Sequence, residues 1–388
     1  MTEVLESEEM VQERKPKRYR WIDQARGFIM LYLVVTLVFP EEWTPDWGSA
    51  ESTWLTNILH FLFDHAPTSG DYMTLFDVGA AAFIFLLGLM MSVSYRRRKE
   101  KEGAKAANMH LFWRYLVLSA VGLIVMLANN PSLVEEESGM IILSWDVVPA
   151  IAAAGWITFL FIHIRDTKKR LIAGYLIGIV YQILMITWFL RDYALESIHG
   201  GVFGGFLGYG SISIISSCVG DYIFSEDIDE KKKFNSMLLL GALNLIVGIA
   251  LGFIPGWEAN KRQVSFTHNL IAIGVSLIGL WVFSWLDRKK DMELGYLRAY
   301  GMNPFFVYFI VEVPNLLIKE IVGTDLGLEP GWVGPVILTA IYLVYTSLIM
   351  VRLYKKKKVI STIKSGLLMF GVTLLLFILI LLFFPDIL

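Results

Sequence analysis

The 388-residue chain has a single cysteine, Cys218, so an internal disulfide is impossible and a cysteine zinc set is excluded. Cys218 falls in an apolar stretch and reads as a small buried side chain. No phosphate-cradling Gly-Lys-Ser loop, no nucleophile elbow and no His-Glu-x-x-His helix is present, which removes familiar soluble-enzyme chemistry. Charge is scarce at 18% of residues and nearly balanced at −2, so nothing points to a nucleic-acid partner. The first 20 residues lack the apolar core of a signal peptide and read as a charged, solvated tail. No repeat period or second soluble domain is evident, so residues 21–388 are expected to form one polytopic domain.

What the chain has in abundance is apolar surface: 55% hydrophobic residues, 14% aromatic residues and a mean hydropathy of +0.57. A water-soluble domain of this size does not need such a composition. Crossing ~30 Å of hydrocarbon takes about 20 apolar residues at 1.5 Å rise. Eleven runs qualify, centred on residues 22–40, 74–95, 110–129, 140–163, 171–190, 201–224, 236–255, 266–286, 299–320, 333–353 and 365–385. The expected fold is therefore an all-α integral membrane protein with about 11 transmembrane helices in one bundle.

Orientation follows from the basic residues. Most of the 34 Lys and Arg residues fall in the amino-terminal tail and in the connections after even-numbered spans, as in Arg96-Arg97-Arg98 and Lys355 to Lys358. That alternation predicts a cytoplasmic amino terminus and, with an odd number of crossings, an outer carboxyl terminus. Topology and anionic-lipid contact account for most of these clusters. The connection from Glu41 to Met73 is different, with no Lys or Arg and with two histidines, His60 and His65. Its segment Trp54 to Phe63 is expected to be a short helix at the outer interface.

Ionisable groups inside spans are costly unless they face a polar interior, so each is a site candidate. Asp23 and Arg26, three apart, are expected to pair at the inner end of span one. Asp77, Asp146, Asp221 and the deepest, Glu312, complete the acidic set, while Arg114 is close enough to the inner face to snorkel. Pro149, Pro255, Pro304 and Pro314 are expected to break or kink spans. Pairs such as Gly174 with Gly178 and Gly201 with Gly205 predict close helix approach. Imidazole suits proton transfer near neutral pH, which singles out His65 beside Asp64, although a loop histidine is more often a solvated surface group. His60 reads as interfacial packing, and the other four histidines show no metal-ligand spacing, so no metal is expected.

Six stretches then resemble, in order, the heparan-alpha-glucosaminide N-acetyltransferase family of transmembrane acetyltransferases. They are RYRWIDQARGFIM from Arg18, Asp64-His65-Ala66 leading to Asp77 and AAFIFLLGLMMS, LSWDVVP from Leu143, Gly201 to Gly220, Phe253 to Ser265, and GMNPFFVY from Gly301. Thr36-Leu37 stands where the family usually carries Asn, and Val78-Gly79 replaces its Phe-Pro. The resemblance implies a membrane-bound acyltransferase of a prokaryotic cell membrane. Acetyl-CoA or another acyl-CoA is the expected donor, reached from the cytoplasm, and an amino-sugar, glycan or glycolipid at the outer face the expected acceptor. His65 matches the family's catalytic histidine, either as general base or as acyl carrier, with Asp64, Asp77 or Asp146 to orient it. Arg26, Trp145, Asp146, Lys261, Ser265 and Asn303 are the candidate substrate-binding residues, and Arg96 to Arg98 with Lys101 are candidates for the coenzyme phosphates. Membrane lipids are expected partners, and a homodimer is left open. The rival expectations are a multipass transporter or lipid translocator that depends on Glu312 and Asp146 but not on His65, and an accessory protein that has lost the chemistry.

Overall fold

The computed structural model describes residues 19–36, 53–66, 73–129, 145–187, 190–197, 199–311 and 333–383. Among the described residues the regular structure is entirely helical. The helices are α1 (Arg20–Thr36), α2 (Trp54–Phe63), α3 (Leu75–Glu102), α4 (Ala104–Asn129), α5 (Val147–Phe161), α6 (Thr167–Thr187) and α7 (Leu190–Glu196). After these come α8 (Gly201–Ile223), α9 (Glu230–Gly252), α10 (Phe266–Lys290), α11 (Gly295–Met302), α12 (304–311), α13 (Val333–Lys355) and α14 (Thr362–Phe383). Five of them, α3, α6, α8, α9 and α10, are long and apolar enough to cross a membrane. Glu312 and Pro314 lie outside the described residues.

Side-chain hydroxyls and carboxylates set where helices begin. Thr53 and Thr56 form a capping box at the start of α2, and Thr74 and Asp77 form one at the start of α3. Asp146 caps α5 by accepting the Val147 N–H at 2.5 Å, so α5 starts later than the span expected from residue 140. Among the described residues, three of the prolines expected to break or kink spans start or follow helices instead. Pro149 falls in the first turn of α5, Pro304 opens α12, and Pro255 lies beyond the end of α9. A first-turn proline removes an N–H that has no partner within the helix, so it costs little there.

Helix α3 forms the centre of the bundle, with Ile84, Phe85, Leu89 and Met91 buried, and it packs closely on α8. A Cβ on Gly220 would lie 2.1 Å from the Leu89 carbonyl oxygen, so the two backbones touch only because that side chain is missing. A Cβ on Gly174 or Gly178 of α6 would likewise lie only 2.8 Å from Ile215 or 2.5 Å from Phe266, the close approach their spacing predicts. Helices α6 and α9 are peripheral, and Leu239, Ile246 and Ile172 expose more than half of their surface. Exposed apolar side chains on long helices are compatible with a membrane setting.

Charged pairs gather at one end of the bundle. Arg20 binds Asp287 and Asp291, and Asp221 accepts from buried Arg170, from Arg96 at 2.9 Å and from Ser92 at 2.7 Å. Asp23 and Arg26 pair at 2.8 Å, as their spacing predicts. The opposite end carries the starts of α3 and α10 together, joined by His268 Nε2, 3.1 Å from the Asp77 carbonyl oxygen.

Candidate functional site

His65 lies just after α2, and the capping of α3 fixes it. Asp77, the third residue of that helix, is buried and has both carboxylate oxygens occupied. Oδ2 accepts the N–H groups of Ala66 at 3.2 Å and Thr74 at 3.0 Å, with the Thr74 hydroxyl also 3.0 Å away. Oδ1 lies 2.9 Å from His65 Nδ1. A carboxylate only accepts, so Nδ1 carries the hydrogen and Nε2 keeps a lone pair. Phe76 stacks on the ring at 4.2 Å between centroids, which leaves rotation of the imidazole little room.

Asp64 is directed elsewhere. One oxygen accepts the His65 backbone N–H at 2.6 Å and the other pairs with His60 Nδ1 at 2.9 Å. His60 is thus a buried partner of Asp64 near the end of α2, not only interfacial packing. Between them, Asp64 shapes the turn and Asp77 orients the ring.

Nε2 of His65 faces a cavity of about 170 Å³. Its lining includes the polar residues His65, Asp146, His199, Lys261 and Tyr308, together with Met30, Phe83 and Phe305. Lys261 places Nζ 3.2 Å from His65 Nε2 and so donates to the lone pair. It is carried by the turn before α10, which is braced by Asn260 Oδ1 accepting the Gln263 N–H at 3.0 Å and by Gly200 donating to the Arg262 carbonyl oxygen.

The remaining predicted residues have other positions. Ser265 caps α10, accepting from His268 at 3.2 Å and from Asn260 at 3.0 Å. Arg26 binds the Gly301 carbonyl oxygen as well as Asp23. Asn303 bridges the Lys358 carbonyl, at 3.2 Å, and the Ile360 N–H, at 2.6 Å. None of these three lines the cavity. A Cβ on Gly205 would lie 2.8 Å from Trp145 Nε1, and the Trp145 backbone N–H donates to the Ser197 carbonyl oxygen at 2.8 Å. Among the described residues no group of His, Cys, Asp or Glu is arranged to hold a metal ion.

Sequence reasoning overlooked His199. It is buried, lines the cavity, and sits in the left-handed backbone region with φ of 50°. Burial, and then the positive charge of Lys261, hold its imidazole well below the ordinary histidine value. The one local signal was the Gly200-Gly201 pair that follows it, which permits the tight backbone that turns it inward.

No known protein-family model matches the chain, and no curated protein matches it. The resemblance of the six stretches therefore stands on their residues alone.

Proposed function

We propose that the chain is a membrane-bound acyltransferase in which His65 Nε2 is the general base. The observation that carries this reading is the Asp77–His65 pair: a buried carboxylate fixes the tautomer whose Nε2 lone pair, held by Lys261, lies at a partly apolar cavity. An acceptor hydroxyl or amine takes the place of Lys261 at Nε2. His65 removes its proton as the acceptor attacks the carbonyl carbon of the acyl thioester, and the π electrons move to oxygen. Collapse of the adduct re-forms the carbonyl and expels the coenzyme thiolate, which takes the proton back from Nε2. The Lys261 ammonium, displaced only slightly, offsets the negative charge.

The same proposal includes eleven crossings, a cytoplasmic amino terminus and an outer carboxyl terminus, supported by the alternation of Lys and Arg along the sequence. Arg96 to Arg98 lie about 20 residues along α3 from Asp77, roughly 30 Å by helical rise. A basic cluster at one end and an imidazole at the other fit a donor admitted from the inside and an acceptor met outside. The lining of the cavity, with the imidazoles of His65 and His199, the Lys261 ammonium, the Asp146 carboxyl group and the Tyr308 phenol, fits a polar acceptor such as an amino-sugar or glycolipid.

The test is incubation of the purified protein in detergent with labelled acetyl-CoA and a panel of amino-sugars and glycolipids. Label on an acceptor supports the reading. Intact thioester with every acceptor and with water alone would refute it.

A further inference from the structure

The mechanism above leaves His199 unused, yet its setting is costly to build. His199, Gly200 and Gly201 are three successive residues with positive φ, of 50°, 72° and 59°. A residue bearing a Cβ holds that conformation only where its surroundings enforce it, and such outliers gather at functional sites. The enforcement is visible. Gly204 donates to the Gly200 carbonyl oxygen at 2.8 Å, and a Cβ on Gly204 would lie 2.6 Å from the His199 oxygen. The next turn of α8, Gly204–Tyr209, is a π-helix, which shifts the following side chains around the axis.

That shift brings the Tyr209 hydroxyl to 2.9 Å from His199 Nδ1. Tyr209 is fully buried, and among the described residues His199 is its hydrogen-bond partner. If Nδ1 were the donor, the phenol hydrogen would be buried with no acceptor. Tyr209 therefore donates, Nδ1 accepts, and a neutral His199 carries its hydrogen on Nε2. No hydrogen bond occupies Nε2 among the described residues, and the side chain lines the cavity that His65 faces.

We infer that His199 presents a neutral Nε2–H donor to the substrate opposite His65, binding the acyl carbonyl oxygen as it becomes negative. The identity of that oxygen rests on the acyl-transfer reading, whereas the donor state of the ring does not. His199 transfers no proton. It holds a hydrogen bond while the carbonyl π electrons move to oxygen, and until the carbon–sulfur bond breaks. Neutrality favours the role, because an imidazolium would pass its proton to the oxyanion and compete with His65 as the acid.

Two measurements decide this. Histidine-selective ¹⁵N spectra of the full chain in detergent, with His199 identified by its loss in His199→Gln, are expected to show Nε2 protonated and Nδ1 bare at pH 7 and pH 5.5. Tyr209→Phe is expected to abolish that preference. A proton on Nδ1, or on both nitrogens, would overturn the inference. In the transfer assay His199→Ala is expected to lower kcat roughly 100- to 1,000-fold with little change in the KM for acetyl-CoA, and His199→Gln, which retains an N–H, to recover part of it. Unchanged kcat in His199→Ala, alongside loss in His65→Ala, would refute His199 and leave the acyl-transfer reading standing. If the wild type transfers no label, that reading falls, and the ¹⁵N spectra alone decide whether His199 is a neutral donor.

Discussion

His268, in the first turn of α10, places Nε2 3.1 Å from the carbonyl oxygen of Asp77, 191 residues earlier in the chain. The carboxylate that orients His65 is thus tied by its own backbone to a second helix, while its side chain holds the turn before it. Positioning in this site passes from α10 through α3 to the imidazole.

Asp77→Asn is expected to lower transfer by about 100-fold or more, because an amide can offer its N–H to Nδ1 and favour the wrong tautomer. It also disturbs the buried bonds to Ala66 and Thr74, at a cost of about 1–3 kcal/mol. Steady-state rates and thermal unfolding in detergent measure the two effects separately. A variant as active as wild type would remove Asp77 from the site.

Asp64→Asn, by contrast, leaves the Asp77 contact intact and weakens the His60 pair and the turn. The expected loss is no more than about 10-fold, below the range for losing a positioned general base. Kinetics of the two variants side by side check this, and an Asp64→Asn loss as large as that of Asp77→Asn would reverse the assignment of their roles.

The neighbourhood of His60 and His65 shows what the sequence makes legible. Trp54 to Phe63 is a helix, as its apolar, aromatic composition predicts, and His65, Lys261 and Asp146 line one cavity, with Asp77 bound to His65. Which aspartate orients His65 is not legible, because Asp64 is adjacent in sequence while Asp77 is brought near by a helix cap. Arg26, Ser265 and Asn303 bear polar groups in apolar surroundings, the pattern of a site, but they satisfy backbone groups at helix ends and crossings. His199 was hidden because three left-handed residues and a π-turn, which no periodicity encodes, bring it to the cavity.

The low proton affinity of folded His199 predicts a pH dependence of stability. The unfolded chain binds this proton below about pH 6.5 and the folded chain does not, so stability is full above that value and falls as pH drops below it. The slope from one such group approaches 1.4 kcal/mol per pH unit. Thermal unfolding between pH 5 and 7.5 is expected to show a shallower decline for His199→Gln than for wild type. Parallel curves would mean that folded His199 titrates normally.

Helix crossings predict a contrast between two glycines. A Cβ on Gly27 would lie 1.7 Å from the Leu297 carbonyl oxygen, whereas one on Gly279 meets nothing within 4 Å. Gly27→Ala must push α1 from α11 and is expected to destabilise by roughly 1–3 kcal/mol or more. Gly279→Ala is expected to match wild type or exceed it slightly, since alanine favours the helix. Unfolding midpoints of the two variants test the packing of α1, and a tolerated Gly27→Ala would contradict the crossing.

The account turns on the lone pair of His65 Nε2, and the rate of label transfer from saturating acetyl-CoA measures it most directly. Removal of a positioned general base predicts a fall of about 100- to 10,000-fold in His65→Ala, with the unfolding midpoint little changed. Transfer at the wild-type rate in folded His65→Ala protein would contradict it.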